Sequence, residues 1–181
     1  SLGGKARGLA FANTYLSQAD FIDQFDSITV RVPKVAVVST DEFDQFMEVN
    51  KLWETALSLD NNQDLEGIFL KGRLSRNLVQ TLKEFLKEVD YPLAIRSSSL
   101  LEDSQYQPLA GMYATYMLPN SHKDSKERLS QVCEAIKRVY ASTFFEDPKT
   151  LMENIVHRHE EEKMAVIIME MVGKTHDDYF Y

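Results

Sequence analysis

A single cysteine, Cys133, stands in 181 residues, so no disulfide can close within the chain, and the cytoplasm is the expected setting. Glycine and proline are also scarce, at 7 and 5, which excludes collagen-like and low-complexity classes. Long apolar runs are missing: the longest, Met164 to Met169, is far short of the roughly 20 residues a membrane span needs. Nor does the chain open on the charged, apolar and small residues of a secretory signal. Basic excess is absent too. With 20 Lys+Arg against 28 Asp+Glu the net charge is -8, so neither nucleic acid nor an acidic membrane is an expected partner, and any anion site must be local.

What remains is a globular composition, 44% apolar and 27% charged, in a chain long enough to bury a real core. Leu9, Ala12 and Leu16 sit at helical spacing after Gly3-Gly4 and predict a helix over Lys5–Ser17. Ile28–Val32 and Val35–Val38 are β-branched runs split by Pro33-Lys34 and read as extended. Ser39 and Glu42 have capping-box spacing ahead of a helical stripe of Phe43, Phe46 and Met47. Asp60–Gln63 reads as a polar turn. Leu78, Leu82, Phe85, Leu86 and Val89 mark a helix starting near Ser75, and Leu129, Val132, Cys133, Ile136, Val139 and Tyr140 another over Ser125–Phe145. Asp147-Pro148 opens one more, expected to reach about Glu161. Leu93–Ile95 and Leu109–Leu118 are extended candidates, and Met164–Met169 predicts a strand buried on both faces. Strands and helices mix without an internal repeat, as in an α/β or α+β domain.

Three constellations can carry chemistry. Leu93–Ile95 runs into Arg96-Ser97-Ser98-Ser99, a permanent cation with hydroxyls and small-residue amides at a strand end, which suits a phosphate; a strand-capping turn fits the same residues. Gly3-Gly4-Lys5 places close-approaching backbone, a helix N-terminus and an ammonium together, or is simply a flexible helix entry. It is not a Walker A loop, because Ala6 follows the lysine where Ser or Thr is required. Glu170-Met171-Val172-Gly173 joins edge polar groups to apolar faces, as a flat purine needs, or is a strand end with a solvated glutamate. His157-Arg158-His159 cannot chelate one ion from a helix, since residues two apart do not face each other, and reads as a charged helix end. Cys133 falls on an apolar stripe and reads as core, while Lys71, Arg73 and Arg76 read as a surface cluster.

In order, Gly3-Gly4-Lys5-Ala6, the block from Pro92 through Arg96-Ser-Ser-Ser-Leu-Leu-Glu-Asp to Ser104, Leu109-Ala-Gly-Met-Tyr-Ala-Thr and Met164-Ala-Val-Ile-Ile-Met-Glu-Met-Val resemble the nucleotide-binding domain of phosphoenolpyruvate synthase (pyruvate, water dikinase) and pyruvate phosphate dikinase. The resemblance implies an α+β, ATP-grasp-like fold, a first lobe with a mixed sheet flanked by helices. Residues 1–118 and 163–173 would form the sheet-containing lobe and 121–161 a helical insertion. It implies ATP and Mg2+ as cofactors, with Lys5 and Arg96 on the phosphates, Arg96 as the catalytic residue, and Ser97 and Ser98 lining the same end. Gly111 and Thr115 would belong to a segment facing the phosphates, and Glu170, Met171 and Val172 to the adenine hinge. The partners it implies are ATP, pyruvate and a carrier-histidine domain, with an oligomer open.

Family features beyond the hinge, the metal ligands included, are missing here, as are the carrier-histidine motif and the barrel. Ser1 in place of Met and the stop at Tyr181 then read as an excerpt, inactive alone. The alternative is a non-catalytic nucleotide-sensing or protein-docking module on the same fold.

Overall fold

Stretches of period two and period 3.6 alternate along the chain, and the computed structural model, which describes residues 1–18, 30–99, 111–153, 163–177 and 179–180, turns them into strands and helices. In order these are α1 (Gly3–Gln18), β1 (Val35–Val38), α2 (Thr40–Val49), α3 (Trp53–Ser58), α4 (Asn62–Lys71), α5 (Arg76–Glu88), β2 (Leu93–Ser99), β3 (Thr115–Leu118), α6 (Ser125–Ser142), α7 (Glu146–Glu153), β4 (Met164–Glu170), β5 (Thr175–His176) and β6 (Tyr179–Phe180).

The helical stripes bury as their period requires. Leu78, Leu82 and Leu86 are the inner face of α5, whose first turn is capped by Ser75 Oγ accepting from Leu78 N–H at 3.0 Å. Val132, Ile136, Val139 and Tyr140 are the buried stripe of α6, and Asp124 caps it by accepting from Lys126 N–H. Where α2, α4 and α6 meet, Phe43, Phe46, Phe69, Tyr140 and Phe144 interlock, with the Phe43 and Tyr140 rings 5.1 Å apart and edge-on. Each such aromatic pair adds about 0.5–1.5 kcal/mol beyond its buried area.

The four-stranded sheet has the order β1-β4-β2-β3, and every pairing in it is antiparallel. The α+β class holds, but the expected mixed sheet is antiparallel among the described residues. β4 is central and its first five residues are buried, as its unbroken apolar run requires. Alternation sorts the side chains into two faces. Val38, Val166, Ile168, Leu93 and Ile95 enter the core under the helices, where α6 packs on β2, β3 and β4 and α2 on β4. The other face carries two rows across the strands. One is Val35, Met169, Ala94 and Met117, and the next is Val37, Ile167, Arg96 and Thr115. α1 crosses one end of this second face, against β2 and β4.

Several local expectations are corrected. Ser39 starts α2, but its hydroxyl donates to Asp41 and makes no cap bond, while Glu42 accepts from Ser75 Oγ at 2.7 Å, so no capping box forms. The polar turn at Asp60–Gln63 is a helix start: Asn61 Oδ1 accepts from Gln63 and Asp64 N–H at the head of α4. Asn and Asp favour turns and caps for one reason, a short acceptor aimed at the chain's own amides. Arg96 to Ser99 do not follow a strand but are the second half of β2. Of the extended candidate at 109–118 only Thr115–Leu118 is strand among the described residues, and residues 30–32 are not. Residues 28–29, 109–110 and 154–161 lie outside the described residues.

Candidate functional site

Antiparallel register makes Arg96 the cross-strand neighbour of Ile167 on one side and Thr115 on the other, on the face that no helix of the core covers. Arg96 is partly buried as a residue, and among the described residues no carboxylate or carbonyl takes its guanidinium. A permanent cation with no partner of its own, set beside the apolar side chains of Ile167, Met169 and Met117, is suited to an anion from outside the chain. Two cavities meet at this residue. One of ≈ 320 Å³ is lined by Lys5, Gly8, Leu9, Arg96, Ile167 and Met169. The other, of ≈ 610 Å³, is lined by Pro33, Ala94, Arg96, Thr115, Met117 and the run Met169–Val172. Sharing Arg96 and Met169, they form one trough along the open face, in the size range of small-molecule sites.

At the α1 end, Lys5 Nζ donates to the Ser97 carbonyl at 3.5 Å and to Ser97 Oγ at 3.4 Å, which brings the Lys5 cation to the same strand as Arg96. The serines themselves are turned to another use. Ser98 is fully buried; its hydroxyl accepts from Ala6 N–H and donates to the Leu2 carbonyl, each at 3.1 Å. Ser98 therefore ties α1 to β2 and has no hydroxyl to offer a phosphate, and Ser97, 1% exposed, lies beneath Lys5 instead of lining open space. Gly3 has the same structural role. Its φ is +71°, and a Cβ there would stand 1.8 Å from the Ser98 carbonyl oxygen, so the close approach read from Gly3-Gly4 is to β2.

At the other end, the Glu170 carboxylate is gripped by Arg31, with Nη1 donating to Oε2 at 2.6 Å and Nη2 to Oε1 at 2.9 Å, and it also accepts from Lys34 N–H at 3.0 Å. The Arg31 hydrogen bond first, and the Lys34 amide second, lower its pKa to about 2. The Glu170 carboxylate is thus held in an ion pair at the solvent edge and is not free to bond a ligand. Met171 N–H donates to the Pro92 carbonyl at 2.9 Å, and among the described residues nothing bonds the main chain of Val172, which is 68% exposed. Lys34 Nζ lies over the Tyr91 ring beside this cluster. Gly111, at φ +82°, is exposed, and Thr115 is exposed opposite Arg96.

Arg96, Lys5, Thr115, Glu170, Met171 and Val172 are therefore brought to one trough; Ser98 is not a free donor in it. Residues 100–110 and the histidines at 157 and 159 lie outside the described residues. Among those described, no group of three or more His, Cys, Asp or Glu could hold a metal ion, and burial pushes the Cys133 thiol up, away from reactivity. Mg2+, which the resemblance implies, finds no carboxylate set in these residues. Sequence reasoning missed Gly8, Ile167, Met169, Met117, Pro33 and Arg31. Period two along β4 pairs Ile167 with Met169 and was a usable signal; Arg31, 139 residues from its partner, had none.

Residues 1–176 match the family described as pyruvate phosphate dikinase, AMP/ATP-binding domain. The chain belongs to this family. Its antiparallel sheet flanked by helices fits the ATP-grasp-like architecture, and it is an ATP-binding domain of phosphotransferase type. The uncharacterized phosphotransferase YvkC of Bacillus subtilis (strain 168) is 27% identical over 162 residues, covering 81% of this chain and 18% of its own length. The chain thus spans less than a fifth of that relative. No helix among the described residues is long and apolar enough to cross a membrane.

Proposed function

We propose that the trough on the open sheet face holds ATP lengthwise, its phosphates toward Arg96 and Lys5 and its base toward the edge at Glu170–Val172. The observation that carries this is Arg96, a partly buried residue whose cation has no protein partner among the described residues, set in the middle of a trough with a second cation at one end and, among those residues, unbonded main chain at the other. In this reading Arg96 is the catalytic residue. It meets the charge that develops on a transferred phosphoryl group from a fixed position, with no reorganisation at the moment of transfer. Met169 and Met117 give the base polarizable apolar contact, Thr115 opposite Arg96 lines the trough, and Gly111 belongs to the segment that would face the phosphates.

The whole protein then passes a phosphoryl group from ATP to a carrier histidine and on to pyruvate, as phosphoenolpyruvate synthase does, in the cytoplasm and with Mg2+ held by residues other than those described. Residues 1–118 and 163–173 form the sheet-bearing lobe and 121–161 an inserted helical segment; the 181 residues alone do not catalyse the transfer. Arg96→Ala in the full-length protein is expected to lower ATP-dependent phosphorylation of the histidine by at least about a hundredfold, the scale for losing one electrostatic group of a transition state. Radiolabel transfer from γ-labelled ATP measures it. Undiminished transfer refutes the assignment, and ATP binding with no transfer in the unaltered protein favours a nucleotide-sensing module.

A further inference from the structure

The end of β4 leaves main-chain acceptors open by two separate means. On the β2 side Met171 N–H donates to the Pro92 carbonyl, but proline has no N–H to return to the Met171 carbonyl. On the β1 side Glu170 N–H donates to the Lys34 carbonyl at 2.9 Å, and the matching ladder bond would run from Lys34 N–H to the Glu170 carbonyl. It does not form. Lys34 N–H donates instead to Glu170 Oε2 at 3.0 Å, where Arg31 holds the carboxylate in a two-pronged grip. The side chain of Glu170 thereby takes the donor that its own carbonyl would otherwise receive. Among the described residues that carbonyl has no other partner, and it lies on the β1 side, where Pro33, Glu170 and Val172 line the larger cavity.

We propose that Arg31 is a positioning residue for base recognition: by clamping the Glu170 carboxylate onto Lys34 N–H, it keeps the Glu170 carbonyl open to accept from an exocyclic amine, and so favours a 6-amino purine over a 6-oxo purine. The inference rests on the ATP reading of the trough. A carbonyl oxygen accepts from an amino group, whereas a 6-oxo purine sets a second acceptor against it, a repulsive contact that selects as strongly as the attractive one. Arg31 itself is half exposed at the side chain and touches no ligand in this arrangement; it acts through Glu170. Without the grip, Lys34 N–H is free to close the ladder onto the carbonyl, which takes one of its two lone pairs and weakens it as an acceptor for the amine.

The test compares ATP with inosine triphosphate, which differs at the 6-position, by titration calorimetry on the full-length protein. The unaltered protein is expected to prefer ATP. Arg31→Met should weaken ATP roughly three- to tenfold, the worth of one neutral hydrogen bond, and inosine triphosphate less than about twofold. Arg31→Lys, a single-point cation, should restore part of the preference. Glu170→Ala should reproduce the loss, and the double variant should lose no more than either single one, since both act on one bond. If Arg31→Met fails to fold, Glu170→Ala carries the test by itself. Equal weakening of both nucleotides, additive losses, or no preference in the unaltered protein overturns the inference while leaving the trough as an ATP site. Binding of neither nucleotide overturns the trough reading, and this inference with it.

Discussion

The two faces of the four-stranded sheet are built from the same strands in the same register, yet among the described residues the core helices pack one, while the other is covered at one end by α1 and left exposed along its edge strands. On the helix side Ile95 and Ile168 are at most 2% exposed, beneath α2 and α6. On the other side Ala94 and Ile167 are as deeply buried on the central strands, but the edge strands leave Met117 60% and Val35 39% exposed, and Arg96 is only partly buried between them. One face supplies stability and the other leaves apolar surface and a cation unsatisfied. Unsatisfied groups of this kind are what a ligand can use, and they are tolerated because the packed face stabilises the sheet without them.

The contrast is broken most severely from the packed side. Ile95→Ala is expected to destabilise the protein by about 2–5 kcal/mol, since it empties a close-packed position, whereas Met117→Ala on the open face should stay within about 0.5 kcal/mol. Urea unfolding followed by far-ultraviolet circular dichroism compares them. Similar costs for the two would show that the open face is covered.

A smaller effect of opposite sign sharpens it. Arg96→Met replaces the unpartnered cation of a partly buried residue by an apolar chain of similar length, so the protein without nucleotide should unfold at the same or a slightly higher urea concentration, with a gain of up to about 1 kcal/mol. A clear loss of stability would mean that Arg96 serves the fold and not a ligand.

The smallest expected effect is on pH dependence at the sheet edge. The pKa of Glu170 is lowered from 4.5 to about 2 in the folded protein, so the stability its ion pair contributes is present above pH 4.5 and is lost as pH falls from 4.5 to 2. The groups around it are Arg31, Lys34 and Tyr91. Glu170→Gln should flatten that part of the stability curve by a small amount, because Arg31 is half exposed and water and salt screen the pair. An unchanged curve between pH 4.5 and 2 would show that the pair adds nothing to folding.

How much of this was legible before folding depended on how local the cause was. The stripes of α5 and α6 and the run of β4 could be read because their spacing is itself the structure. The start of α4 was misread because Asn61 uses one short acceptor for either a turn or a cap, and only the continuing chain tells which. In the site, Arg96 could be found as a cation beside hydroxyls, but its position within β2 reversed what the hydroxyls do. Ser98, read as a phosphate donor, bonds Ala6 and Leu2. Gly3, read as making room for an anion, makes room for the Ser98 carbonyl.

The sequence by itself determined the amphipathic helices, the apolar central strand, the acidic balance and the chemical types available to the site, because each follows from composition or from contacts within a few residues. Tertiary structure alone decided which face of the sheet the core helices pack, which hydroxyls are used up by α1, and that Arg31 reaches across to Glu170. The reason is physical. Register and packing join residues far apart in the chain, and a hydrogen bond made there removes the same group from use by a ligand.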